Sequence, residues 1–310
     1  MAGEAAQRGI VCFGECMIEL SALPGSGNWR MGFAGDTANV AIYCARSGAQ
    51  VDYLSAVGRD PYSAEMRAFL TAEGIGCDLL LAHPDRVPGL YAIRTDEHGE
   101  RSFTYWRDQS AARDLFAVEG IEAAMERAAH ARMLYLSGIT LSLFDAAGRG
   151  RVIGLAQAVR ARGGEVAFDG NYRPRGWPSA EAARATFAEI APHCSIVLPT
   201  FEDETSLYGD TDPGQSLRRW HAAGAQLVVV KRGEEGAVLS LAGQEPATIP
   251  CQERKAARDT TGAGDSFNAA FLTALLGGAD PQAAVLAGHR LAGEVVMHPG
   301  AIIPREAMPR

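Results

Sequence analysis

The sequence predicts an α/β protein with a mostly parallel sheet covered by helices on both faces and a small β-sheet excursion. Three observations carry this. Short, continuously apolar segments such as Leu227-Val228-Val229-Val230 read as strands buried on both faces. They alternate with helix-length segments, the pattern of repeated βα units. Polar clusters follow directly after several of these strands, where ligands sit in open parallel sheets.

In chain order, residues 9–14 read as a first buried strand and 36–45 as a helix capped by Asp36. Residues 51–57 form a strand and 64–73 a helix. Residues 133–137 are a strand. The helix over 152–162 stops at Gly163-Gly164, a C-terminal cap signal. Residues 166–169, 195–198 and 227–230 are further buried strands. Two regions break the alternation. Residues 89–94 and 101–106 flank the polar turn Asp96-Glu97-His98-Gly99, an antiparallel hairpin signal. Residues 16–34 also alternate and carry glycines. These pieces, about 16–34 and 88–108, predict a lid over a cleft. With no linker or repeat, residues 1–310 read as one domain.

Composition narrows the function. The chain has 310 residues, 47% hydrophobic and 21% charged, ordinary for a soluble enzyme. A net charge of −8 disfavours a nucleic-acid partner. The longest apolar runs are strand-sized, which argues against a membrane span. The first eight residues lack the apolar stretch of a signal peptide, so a cytoplasmic protein is expected. Six scattered cysteines with no C-x-x-C pair read as reduced small hydrophobes, and with no H-E-x-x-H a structural metal site is not expected. There is no G-x-x-x-x-G-K-[ST], and no G-x-G-x-x-G follows the first strand.

The chemistry concentrates in Asp259-Thr260-Thr261-Gly262-Ala263-Gly264-Asp265-Ser266-Phe267-Asn268. Glycines here feed an alanine-rich helix. The first amides of a helix lack internal partners, and the macrodipole makes that end positive. Gly262, Ala263 and Gly264 therefore form a phosphate cradle. Asp265 stands inside it. A carboxylate beside an anion hole is electrostatically wasteful unless it takes a proton from an attacking hydroxyl. Three other clusters follow predicted strands: Asp169-Gly170-Asn171-Tyr172-Arg173, Pro199-Thr200-Phe201-Glu202-Asp203-Glu204, and Lys231-Arg232-Gly233-Glu234-Glu235-Gly236. Conventional winding puts all of them on one rim. The acidic run 202–204 reads as a solvated first helical turn. Tyr105-Trp106-Arg107, on the lid, reads as a ligand contact.

These residues resemble the ribokinase (PfkB) family of carbohydrate kinases over essentially the whole length. Residues 259–267 resemble that family's C-terminal signature. A narrower likeness, to the branch that phosphorylates 2-keto-3-deoxygluconate on its C6 hydroxyl, rests on Gly14-Glu15-Cys16-Met17-Ile18-Glu19-Leu20, Pro88-Gly89-Leu90-Tyr91, Tyr105-Trp106-Arg107, Asn171-Tyr172-Arg173-Pro174-Arg175 and the tail from Gly300 to Pro309. The resemblance implies a Rossmann-like αβα core with a β-sheet lid used in homo-oligomer contacts. It implies ATP and Mg²⁺, and leaves a monovalent cation open. It makes Asp265 the base and Gly262, Ala263 and Gly264 the anion hole. It assigns Gly35, Asp36, Asn39, Tyr91, Tyr105, Arg107, Asn171 and Arg173 to the sugar acid. Thr200, Lys231, Arg232, Gly233 and Gly236 fall to the nucleotide. The family's N-x-x-E reads Thr200 to Asp203 here, so Mg²⁺ falls to Asp203 or Glu204, through water. The alternatives are a kinase of fructose or another neutral sugar, a nucleoside kinase, and a catalytically silent sugar-acid sensor.

Overall fold

The computed structural model describes residues 8–23, 26–95, 101–253 and 255–309. The predicted turn at 96–99 lies outside the described residues. The chain opens with β1 (Arg8–Phe13), β2 (Met17–Ala22), β3 (Trp29–Ala34), α1 (Asp36–Arg46) and β4 (Val51–Val57). There follow α2 (Pro61–Ala72), β5 (Ile75–Gly76), β6 (Leu80–Ala82), β7 (Leu90–Thr95) and β8 (Arg101–Trp106). The middle holds α3 (Ile121–Ala128), β9 (Ala131–Ser137), α4 (Gly138–Ser142), α5 (Ala146–Ala161), β10 (Glu165–Asp169) and α6 (Ala180–Ile190). The last part holds β11 (Ile196–Val197), α7 (Phe201–Tyr208), α8 (Pro213–Ala222), β12 (Leu227–Lys231), β13 (Ala237–Leu241), β14 (Ala247–Ile249), α9 (Ala263–Leu276) and α10 (Pro281–Val295).

The main sheet runs β14-β13-β12-β11-β10-β9-β1-β4-β5, with β6 beside β4. It is parallel from β12 through β5, and β13 and β14 add antiparallel strands at one edge. Alternate residues of each strand enter different cores. Val11, Phe13, Leu134, Leu136, Val166 and Phe168 pack with α5, α6 and α8. Ile10, Cys12, Met133, Tyr135 and Ala167 pack with α1, α9 and α10. Burial on both faces is why the strands are apolar at every position. From β1 the chain continues to β4 on one side and later to β9 on the other. That reversal opens a crevice beyond the carboxyl ends of β1 and β9.

Helix starts differ from expectation. α2 begins at Pro61, where Asp60 caps Ser63 (3.1 Å), and α5 begins at Ala146, where Asp145 caps Gly148 (2.9 Å). The cap of α1 is Gly35, not Asp36, and makes no side-chain cap bond. A Cβ on Gly35 would stand 2.1 Å from the Glu15 carbonyl oxygen, so close backbone approach explains the glycine. Asp36 occupies the first turn and faces the crevice instead.

The excursion is a separate four-stranded sheet, ordered β3-β2-β7-β8. The two antiparallel hairpins join through a parallel β2–β7 ladder. Met17, Ala34, Tyr91 and Ile93 share one face, packed against Ile302 of the C-terminal tail.

Candidate active site

The expected anion hole at 262–264 is built from glycine geometry. Gly262 caps α9 with φ +74°. A Cβ there would lie 2.7 Å from the Ala301 carbonyl oxygen, so only glycine fits. The tail that presses on it is pinned: Tyr43 donates its hydroxyl to Ala301 O (2.7 Å) and accepts from Ile303 N (3.1 Å). Asp259 ties both turns together, accepting from Thr261 N (2.9 Å) and Gly300 N (2.5 Å). The amides of Gly264 and Asp265 fall in the first turn of α9, where a helix offers them no internal acceptor.

Asp265 is the acid of that turn. Its Oδ2 accepts from Asn39 Nδ2 at 2.8 Å, so α1 and α9 meet at the carboxylate. Burial pushes its pKa up to about 7, and the nearby Asp36 and Asp169 charges push the same way. The Asn39 hydrogen bond and the Lys231 charge oppose the rise. A carboxyl held near neutrality suits a general base.

Lys231 ends β12 and is buried. Its Nζ donates to Asp169 Oδ2 (2.6 Å) and to Asn268 Oδ1 (3.0 Å). Asn268 donates to the same Asp169 oxygen (2.6 Å) and to the Tyr135 hydroxyl (3.1 Å). This network fixes a cation beneath the hole: a Cβ on Gly264 would come within 3.6 Å of Nζ.

The sugar-side residues fall into two groups. Asp36 accepts from Ser137 Oγ and from Asn171 Nδ2 (3.2 Å), and burial raises its pKa against the pull of Ser137. Asn171 holds φ +34°, the one positive φ outside glycine among the described residues, and its amide donates to Asp169 Oδ1 (3.0 Å). Tyr91 donates its hydroxyl to Glu19 (2.5 Å) on the inner lid face, and its ring lies 5.8 Å from that of Tyr105. Arg107 pairs with the buried Glu15. Arg173 pairs with Asp203 (3.0 Å).

The structure thus gathers Asp265, Asn39, Asp36, Asn171 and Lys231, with Asp203 in electrostatic range of Asp169 and Lys231. Thr200 bridges to Lys231 in the sheet. Gly233 and Gly236 turn the following loop with positive φ, and Arg232 pairs with Glu235. Two expectations change. The run 202–204 is not a wholly solvated turn: Glu204 is buried, its Oε2 bound to Arg219 (2.7 Å) and Trp220 Nε1 (3.0 Å), and its Oε1 lies 3.7 Å from where a Cβ on Gly170 would stand. Burial pushes its carboxyl up to about 7. Trp106 does not share a face with Tyr105, because neighbours in a strand point oppositely. It lines a groove with Leu20, Trp29 and Leu90 on the outer lid face. Lys231, at the end of β12, is anchored to Asp169.

Sequence reasoning did not single out Asp169, Asn268, Ser137 or Glu15 as site residues. Asp169 and Asn268 stood inside quoted motifs, and a buried charge after a strand was the available signal.

Comparison with known proteins agrees with this geometry. The model of the pfkB family carbohydrate kinases matches residues 7–308. The 2-dehydro-3-deoxygluconokinase of Dickeya dadantii is 40% identical over 308 residues, covering 97% of this chain and 99% of that protein. A PfkB protein from Polaromonas sp. JS666 superposes with a TM-score of 0.82 at 29% identity, covering 94% of this chain and 97% of the other. A ribokinase II from E. coli, solved in complex with ATP and Mg²⁺, shares the fold with a TM-score of 0.82 at 21% identity, covering 98% and 96%.

Proposed function

The chain belongs to the pfkB family of carbohydrate kinases, and from that premise we propose that it transfers the γ-phosphoryl group of ATP to the C6 hydroxyl of 2-keto-3-deoxygluconate. The observation that carries the reading is Asp265, a carboxyl raised to about 7 inside a glycine-built helix N-terminus. Asp265 takes the hydroxyl proton, a step worth ~10²–10⁴-fold in rate. The amides of Gly262, Gly264 and Asp265 and the ammonium of Lys231 stabilise charge on the phosphoryl oxygens, while the Ala263 amide is held by Thr260 O (3.2 Å). Arg107 and Arg173 offer planar forks to the acceptor's carboxylate.

Mg²⁺ keeps most of its water and needs only one or two carboxylates, and Asp203 fits that role. Glu204 is the second candidate: its bonds to Arg219 and Trp220 both fall on Oε2, and Oε1 faces the Gly170 backbone. When bound with ATP, the ion supplies charge neutralisation across the phosphates. A monovalent cation is part of the proposal, tested by exchanging K⁺ for a tetraalkylammonium ion. We place this activity in the cytoplasm and the second copy of the chain on the outer lid face. None of the described helices is long and apolar enough to cross a membrane.

A coupled ADP-release assay with the sugar acid, fructose and ribose tests the reading. Preferential use of the sugar acid supports it. Preference for a neutral sugar, or no turnover, overturns it.

A further inference from the structure

Glu15 follows β1 at the point where the chain leaves the core for the lid. It is only 2% exposed, and no secondary structure explains a carboxylate there. All four chain crossings between core and lid meet around it. Its own backbone forms the first. Gly35, ending β3, would place a Cβ 2.1 Å from the Glu15 carbonyl oxygen. Gly89, leading into β7, would place one 2.7 Å from Glu15 Oε1 and 3.0 Å from Arg107 Cβ. Arg107, leaving β8, sets its guanidinium against the carboxylate.

The pair is charge against charge. Nη2 of Arg107 stands directly against Oε2 of Glu15, while Glu15 Oε1 and Arg107 Nε have no hydrogen-bond partner. A buried carboxylate is costly unless a cation neutralises it, and removing either partner strands the other. The guanidinium is also close enough to Asp36 to stabilise that charge. Arg107 therefore lies between a buried acid on the hinge side and the crevice on the other, with Nη2 against Glu15 and Nε without a hydrogen-bond partner.

We propose that Glu15 is a positioning residue: it holds the Arg107 guanidinium at the lid hinge, oriented for the carboxylate of the acceptor. This rests on the sugar-acid reading above. Glu15 touches no reacting atom and acts through Arg107. The second carboxylate, arriving with the substrate, completes the neutralisation of the fork.

The test is a double-mutant cycle with Glu15→Gln and Arg107→Ala, read as KM for the sugar acid, KM for ATP and melting temperature. Glu15→Gln keeps the volume and removes the charge. Alone, it is expected to raise KM for the sugar acid about tenfold and leave KM for ATP within about twofold. In the Arg107→Ala background it is expected to add less than about twofold, because its effect travels through the missing guanidinium. Multiplying effects, or equal rises in both KM values, overturn the proposal. If Glu15→Gln does not accumulate as folded protein, Gly89→Ala serves instead. Its methyl group displaces the Glu15 carboxylate, so the same selective rise is expected, and an unchanged KM for the sugar acid overturns the proposal. Wild-type protein is assayed first. Failure to phosphorylate the sugar acid there removes the functional reading itself, a result seen before any variant is made.

Discussion

At the scale of single residues, Asp265 is the position on which most depends. Asp265→Ala is expected to lower kcat by ~10²–10⁴-fold while nucleotide binding by calorimetry stays near wild type. Full activity in that variant would remove the base assignment. The raised pKa adds a pH signature. The base works only when ionised, so kcat/KM should fall about tenfold per pH unit below about 7 and level off above it. Stability has the opposite sign. The folded protein holds this proton more tightly than the unfolded chain, whose aspartates titrate near ~3.9. Stability is therefore lost as pH rises through 4 to 7, and ionised Asp265 costs stability above 7. Asp265→Asn should melt above wild type at pH 8, and the gap should narrow at pH 5. A lower melting temperature at pH 8 would contradict the burial argument. Asp265 was legible because glycines, a helix start and one acid are adjacent in sequence. Asp169 and Asn268 were not, because their pairing with Lys231 joins residues 62 and 37 positions apart. Glu204 misled for a related reason: it follows exposed Glu202 and half-buried Asp203 in one acidic run, while Arg219 and Trp220 arrive from another helix.

At the scale of elements, α1 does two jobs with one helix. Its first turns present Asp36 and Asn39 to the crevice, and its last turns hold the tail through Tyr43 and Arg46. The tail in turn frames Gly262. Tyr43→Phe removes a donor to Ala301 O and an acceptor for Ile303 N, both buried. We expect a loss of about 1–3 kcal/mol in urea unfolding, with kcat/KM reduced because the anion hole loses its backing. An undiminished kcat/KM would show that the tail braces the fold without shaping the hole. Gly262→Ala attacks the same joint from the other side. Positive φ costs about 1 kcal/mol or more, and the methyl group also meets the tail backbone. The strands were readable because burial on both faces makes them apolar at every position. The starts of α2 and α5 were less so. Each is set by an aspartate cap lying upstream of the apolar periodicity that signals a helix. The two hairpins were visible locally. Their union through the parallel β2–β7 ladder was not, since it pairs segments about 70 residues apart.

At the scale of the whole molecule, the outer lid face is the feature that a single copy leaves unexplained. Trp106 is 59% exposed and Trp29 is 39% exposed, and with Leu20, Leu90 and Ala92 they line a groove of about 380 Å³. Arg94 lies 4.9 Å over the Trp29 ring and is the one charged residue in that lining. Contiguous apolar surface of this kind marks an interaction site, and a sheet face whose groove carries a single charge suits pairing with its own copy across a two-fold axis. β8 also runs directly from this face into Arg107, so covering the face would steady the residue proposed to grip the acceptor. Wild-type protein is therefore expected to be a dimer by light scattering at micromolar concentration. Trp106→Glu, which sets a charge in the groove, is expected to give monomers that melt normally. Their KM for the sugar acid should rise several-fold, with KM for ATP little changed, because the proposed nucleotide loop at 231–236 follows a core strand and is not part of the lid. A monomeric wild type would leave the face without its proposed occupant. A dimer indifferent to Trp106→Glu would move the interface elsewhere on the molecule.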